Sequence, residues 1–353
     1  MKSQRNNPDM IDLLICPGFC VKDNCITQIN DAANRLFLKI GMAVPSLLLT
    51  GQEEYSRFAS GCLYLQILAA GTAHGAVVTA MGDYQVFLVD DDRELRELQV
   101  LALAAQELRT PLSNIMISAE RIRPSLDDSA SADHQNRLNR GASQLLRLVS
   151  NMSDALRYAQ GASPETRNVT ALMDEIFEKA QALMEKSGLT LHYSGPREDI
   201  FLLADGEQLE RAVYNLLSNA MKFTPRGGTV EATLTRKGNL LCLSIEDSGS
   251  GIAEGVLQNI FSRYLRVPSL EDSRFGLGLG MVLTRSAAAN HGGTVLIDSP
   301  GSGTRVTLTL AIRQSREALL RSPSLRVDYA GERDHGLLEL SDVLPPALYS
   351  PES

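Results

Sequence analysis

The sequence lacks the positive charge that would hold a polyanion: 34 Lys and Arg face 42 Asp and Glu, for a net charge of −8. No overall electrostatic footprint for DNA or RNA phosphates results, and nucleic acid is not expected as a direct ligand. Cysteines are few, with Cys16, Cys20, Cys25, Cys62 and Cys242 spread over 353 residues. An odd number so scattered is no disulfide framework, and no fourth thiolate or histidine joins the first three at zinc-finger spacing, so reduced thiols are expected. The opening MKSQRNNPDM is followed by no apolar signal core, and a cytoplasmic location is expected. The longest apolar stretch, residues 61–80, carries Gln66, Thr72, His74 and Thr79 and is broken by glycines. Two buried strands around a turn account for it better than a membrane span.

The chain is long enough for two or three domains, and 44% hydrophobic with 22% charged residues can bury real cores. Residues 11–90 read as LLICPGF, VKDNCITQIN, a helical stretch DAANRLFLKI and three β-like runs ending in YQVFLVDDD, which suggests a small mixed α/β module. From Leu98 the period changes. Leu98, Leu101, Ala105, Leu108, Leu112, Ile115, Ala119 and Ile122 alternate spacings of three and four, and Leu138, Ala142, Leu145, Val149, Met152, Leu156 and Ala159 repeat the alternation after Pro124 to Asp133. Two such helices form a hairpin with too little core to stand alone, so a second copy completing a four-helix bundle, a symmetric homodimer, is the expected state.

Residues 168–312 mix amphipathic helices with strands, an α/β sandwich. Four stretches in it carry chemistry. NLLSNAMKFTP puts Asn215, Asn219 and Lys222 at helical spacing; amide oxygens suit magnesium and an ammonium suits phosphate, although taken alone the trio reads as a solvated helix face. EDSGSGI puts Asp247 at the end of an apolar strand just before Gly249 and Gly251, where a carboxylate can accept from a heterocycle's amino group while the glycines let backbone approach it. FGLGLG supplies Gly276, Gly278 and Gly280 at the start of a helical run, a place for phosphate oxygens. GSGT ends the set with Thr304. The tail, 313–353, reads as a peripheral segment or partner contact.

In order and spacing these stretches resemble the ATP-binding domain shared by histidine kinases and the gyrase, Hsp90 and MutL ATPases. The resemblance implies ATP and Mg2+ as ligands, with Asp247 reading adenine, Asn219 holding magnesium, Asn215 and Lys222 serving metal and phosphates, and Thr304 supporting the pocket. It matches Phe261 and Tyr264 in IFSRYLRV to the aromatic segment before the ATP lid, with Arg263 and Arg266 either reaching phosphate or merely solvated. Where that family usually has a glycine two residues before Gly276, this chain has Arg274, which cannot take glycine-only backbone angles cheaply.

QELRTPL, after a heptad helix, resembles the phosphoacceptor box of sensor histidine kinases, and GFCVKDNCITQINDAANRLF resembles the opening of a PAS domain, in the role of either a ligand sensor or a ligand-free dimerisation or spacer module. The whole then reads as a multidomain α+β protein: a PAS-like module at 1–92, a dimerisation hairpin at 93–162, an ATP-binding domain at 163–312 and a tail at 313–353. The resemblance implies a two-component signalling protein whose partner is the receiver domain of a response regulator. In the family reaction an imidazole nitrogen attacks the γ-phosphate with help from the adjacent carboxylate. Glu107 is present, but Gln106 occupies the acceptor position, and an amide has no basic nitrogen near neutral pH. His134, in or near the turn between the helices, reads as a surface residue. Thr110, one turn after Gln106, matches the position that orients the water for response-regulator dephosphorylation, and equally reads as a helix-surface threonine ahead of a Pro111 kink. Three readings stay open: a histidine kinase relative without its own acceptor, a non-catalytic ATP-binding interaction module or pseudokinase, and an active kinase carrying an engineered His-to-Gln change.

Overall fold

The computed structural model describes residues 16–90, 92–121, 129–252, 279–299, 302–313 and 334–350. The first module begins with a hairpin, β1 (Gly18–Lys22) and β2 (Cys25–Ile29). Asp23 and Asn24 make its turn at φ 51° and 61°, the left-handed pair that tight hairpins favour and these residue types tolerate. Asn30 then caps α1 (Asp31–Arg35), its side chain accepting from the Ala33 and Gly18 amides. The helix expected through residue 40 stops there, because Phe37 turns to φ 59°. After α2 (Gln52–Arg57) come β3 (Cys62–Ala69), β4 (Thr72–Met81) and β5 (Tyr84–Val89). Residues 61–80 thus form two strands about Ala70 and Gly71, at φ 50° and 79°. The five strands lie antiparallel in the order β2-β1-β5-β4-β3. Phe19 stacks on Phe87 at 4.6 Å between centroids, with Tyr55 tilted against it.

Two long helices follow, α3 (Asp92–Arg121) and α4 (Ser129–Ala159). The helix continues through Pro111, which lacks the N–H of its turn, and the Ser113 hydroxyl donates to the Arg109 carbonyl at 2.9 Å. The two heptad seams divide. Ala105, Leu112, Ala142 and Val149 are buried inside the hairpin, whereas Leu108, Ile115, Leu138 and Leu145 are about half exposed. One hairpin has only one inner face, and that face cannot cover both rows.

The third region comprises β6 (Glu165–Asn168), α5 (Val169–Lys186), β7 (Thr190–Ser194), β8 (Phe201–Ala204), α6 (Gly206–Phe223), β9 (Thr229–Lys237), β10 (Leu240–Asp247), α7 (Leu279–Asn290), β11 (Val295–Asp298) and β12 (Thr304–Ala311). Its sheet runs β11-β12-β10-β9-β7, with only β7 and β9 parallel. Residues 165–168 pair antiparallel with β8 in a separate two-stranded sheet. The helices α5 and α6 bury Met173, Phe177, Leu209, Val213 and Leu217 in the core they share with the sheet.

The two modules are not separate. Strand β11 pairs antiparallel with β3, Val295 opposite Tyr64 and Ile297 opposite Cys62, so the two sheets join into one of ten strands. Gly61, at φ +86°, packs where a Cβ would collide with the Ile297 carbonyl. Beside the seam, Arg285 of α7 lies 3.0 Å from Asp90 and stacks over the Tyr64 ring.

The described part of the tail also departs from a peripheral segment. Its helix α8 (His335–Glu339) and a 3₁₀ turn (Pro346–Tyr349) carry Leu340 and Leu344 into the third region's core and Leu338 into the hairpin's. No helix among the described residues is long and apolar enough to cross a membrane.

Candidate functional site

Strand β10 ends on Asp247, between Thr304 of β12 and Val230 of β9. Its carboxylate is buried and accepts the Gly249 amide at 2.9 Å, together with the backbone N–H and hydroxyl of Thr304. Burial pushes the Asp247 pKa above the ordinary value, and these hydrogen bonds offset part of the rise. The loop beside it requires glycine. A Cβ at Gly249 would meet the Phe223 carbonyl and stand 2.7 Å from Asp247 Oδ1, and Gly251, at φ +71°, has Ser299 Oγ 2.6 Å from where its Cβ would be. Ser299 accepts from the Ile252 amide at 3.2 Å and donates to the Gly303 carbonyl at 2.8 Å, tying this loop to the turn before Thr304. Nothing in the sequence singles out Ser299, whose partners Ile252 and Gly303 are set only by the fold. The result is a buried acceptor with backbone on both sides, suited to the amino edge of a flat heterocycle.

The trio on α6 is not a solvated face. Asn215 is 2% exposed; its Oδ1 accepts from Arg147 Nη2 at 3.2 Å, while its Nδ2 is buried without a hydrogen-bond partner among the described residues. Asn219 Nδ2 donates to Met281 Sδ at 3.7 Å. Lys222 Nζ lies 3.1 Å from Asp342; burial pushes its pKa down, and Asp342 offsets part of that. Gly280 lets α7 start against this face, since a Cβ there would come within 3.0 Å of Asn215 Oδ1. An orphaned amide, two amide oxygens, an ammonium and a glycine cradle match the donors that a magnesium–triphosphate needs. Gly276, Gly278, Phe261, Arg263, Tyr264, Arg266 and Arg274 lie outside the described residues.

Sequence reasoning missed the cations behind this face. Arg147, in α4, is 5% exposed and bonds Asn215, Ser218, Glu339 and Asp342. Arg211 is fully buried against Asp154 and Asn151. Nothing in LLRLV or LERAV marks an arginine whose partners lie on distant segments.

On the hairpin, Gln106 and Glu107 are exposed on α3 above the buried Ala105. Thr110 lies on the same helix. His134 is exposed on α4, in keeping with a surface residue. The exposed face of α3 therefore offers a carboxylate and an amide but no imidazole, and an amide is not a phosphoryl acceptor.

Residues 96–161 match the His Kinase A (phospho-acceptor) domain family, and residues 204–314 match the histidine kinase-, DNA gyrase B- and HSP90-like ATPase family. Sensor protein KdpD of Clostridium acetobutylicum is 30% identical over 221 residues, 61% of this chain and 24% of that protein. Sensor histidine kinase CusS of Escherichia coli K12 is 31% identical over 228 residues, 62% of this chain and 46% of that protein. The chain spans less than half the length of either relative. Full-length ShkA, solved in complex with AMPPNP, has a similar fold, with TM-score 0.51 and 22% identity over 63% of this chain and 47% of that one.

Proposed function

We propose that this chain, which carries a His Kinase A domain followed by a histidine kinase-type ATPase domain, is a two-component signalling protein that binds Mg-ATP and cannot phosphorylate itself at the usual position. The conjunction that carries the reading is buried Asp247 flanked by its glycine loop with Gln106 exposed on the matched hairpin. The Asp247 carboxylate accepts the adenine amino group, Asn219 holds magnesium with Asn215 beside it, and Lys222 takes a phosphate. Magnesium, when bound, neutralises phosphate charge. Glu107 has no imidazole to orient. Thr110 is left with the task of positioning water against a receiver domain's aspartyl phosphate, so response-regulator dephosphorylation is the catalytic activity that the hairpin retains.

The sheet order β2-β1-β5-β4-β3, with the helices between β2 and β3, supports a PAS-type sensor module. The outward row Leu108, Ile115, Leu138 and Leu145 supports a homodimer that buries it. The buried thiols of Cys20, Cys62 and Cys242 are compatible with a reducing cytoplasm.

A second reading, a non-catalytic interaction module, is favoured by the Lys222–Asp342 and Arg147–Asn215 contacts, which give the phosphate-facing side chains structural partners. Calorimetric titration of the full chain with Mg-ATP separates the two, followed by incubation with a phosphorylated receiver domain. Binding together with faster loss of aspartyl phosphate supports the first reading. Binding without phosphate loss, while Thr110→Ala behaves like the parent, leaves the interaction module.

A further inference from the structure

The described C-terminal residues, 334–350, lie in the cleft between α4 of the hairpin and α6 of the ATPase-type domain. Apolar side chains anchor them: Leu338 among Ala105, Leu112, Leu146 and Val149, and Leu340 and Leu344 in the larger core. The backbone is held too. Arg140 donates to the Ser341 and Asp342 carbonyls at 3.0 and 2.9 Å, and Asn139 donates to the Tyr349 carbonyl at 3.0 Å. Two carboxylates then enter a cationic recess. Glu339, fully buried, lies 3.3 Å from Arg147 and 3.5 Å from Arg211. The Asp342 carboxylate is 2.7 Å from Arg147 and 3.1 Å from Lys222. Burial alone would push the Asp342 pKa up, but the Arg147 and Lys222 cations outweigh it and hold the pKa below the ordinary carboxylate value, so the docked group is an anion.

A carboxylate oxygen on Lys222 has the charge and the hydrogen-bonding geometry of a phosphate oxygen. The same recess also occupies Asn215, whose oxygen accepts from Arg147. We infer that residues 334–350 are a self-docking acidic segment, with Asp342 standing where a nucleotide phosphate would sit on Lys222, so that the docked segment and bound nucleotide exclude one another. This rests on the Mg-ATP reading above. The segment touches hairpin and ATPase-type domain together, so its release frees the nucleotide site and loosens the hold of one domain on the other in a single step. A ligand that binds only the released form shifts the equilibrium by its differential affinity.

The test uses the full chain. Asp342→Ala is expected to tighten Mg-ATP binding about ten-fold, within the ordinary range of coupling between sites, and to leave adenosine binding unchanged, because adenosine has no phosphate to compete. In the unmodified chain, hydrogen exchange of the amides in 336–349 is expected to accelerate when Mg-ATP is added and not when adenosine is. Equal Mg-ATP affinity in parent and variant, with adenosine bound by both, overturns the inference and leaves the nucleotide reading intact. If neither adenosine nor Mg-ATP binds either chain, the nucleotide reading falls and the competition falls with it. Should Asp342→Ala fail to fold, the exchange measurement on the unmodified chain decides, and protection unchanged by saturating Mg-ATP overturns the inference.

Discussion

Arg211 of α6 and Asp154 of α4 form an ion pair across the boundary between ATPase-type domain and hairpin, the guanidinium wholly buried. Asn151 accepts from the same group at 2.5 Å, and Glu339 of the C-terminal segment lies 3.5 Å away. A guanidinium withdrawn from water costs several kcal/mol unless it is paired, and here every one of these partners comes from another segment. Arg211→Leu removes the buried cation shared by Asp154 and Glu339, leaving Asp154 to Arg157 and Glu339 to Arg147 alone. The expected loss is about 3–5 kcal/mol of stability, read as a lowered unfolding midpoint in denaturant titration of the full chain. A midpoint equal to the parent's would refute the account of Arg211 as the bolt between the domains.

Asp247→Asn keeps an acceptor for the Gly249 amide but replaces the anionic acceptor offered to an adenine amino group. A hydrogen bond to a charged group contributes about 1.5–3 kcal/mol, so Mg-ATP affinity is expected to fall at least about ten-fold with the melting temperature retained. Calorimetry on the full chain measures this, and parent-like affinity would remove Asp247 from the site.

The unmodified chain is expected to take no label from γ-labelled ATP, and Gln106→His to gain acid-labile phosphate. An imidazole supplies the nucleophile that the amide lacks, and Glu107 is already adjacent. Acid-labile label on the unmodified chain, mapped to His134, would contradict the assignment of the acceptor position. Silence in Gln106→His despite nucleotide binding would show that more than one residue blocks the transfer.

His291 is buried with both ring nitrogens engaged: Nε2 accepts the Asp205 amide at 2.9 Å, and Nδ1 donates to the Ala287 carbonyl at 2.6 Å. That pattern requires the neutral ring. Burial lowers its pKa in the folded protein, so below about pH 6.5, the ordinary imidazole value, the unfolded chain takes up the proton first. Stability therefore falls as pH drops below that value, by up to about 1.4 kcal/mol per unit until the folded-state pKa is reached. Unfolding titrations at pH 7.5 and 5.5 should show a steeper loss in the parent than in His291→Gln. Equal slopes would exclude His291 as a source of acid sensitivity.

Local pattern made much of this molecule legible. The first hairpin was only roughly placed, since β1 straddles the runs LLICPGF and VKDNCITQIN, but alternation and turn residues located the hairpin of residues 61–80, because Gly71 reports its backbone angle directly. Heptad spacing located α3 and α4 for the same reason. The strand end at Asp247 and the close backbone approach at Gly249 and Gly251 were readable because their requirements are local, whereas Thr304 entered only through the family resemblance. Arg147, Arg211, Glu339 and Asp342 were not. Their significance lies in partners about 60 to 200 residues away, and a charged residue on an amphipathic helix looks the same whether it meets water or a buried anion. The pairing of β11 with β3 was hidden likewise, since nothing in VLID or CLYL says that one edge will find the other.

That pairing bears on how the protein can be divided. A strand at the edge of a sheet presents unpaired amides and carbonyls, and an apolar edge left open recruits other chains. In the intact molecule the edge of β11, with Val295 and Ile297 buried, is covered by β3. A fragment beginning after residue 92 would carry this edge uncovered, with Val295, Leu296 and Ile297 in line. Such a fragment is expected to aggregate or to pair edge to edge with itself, so an oligomer found in it would report the cut rather than the hairpin.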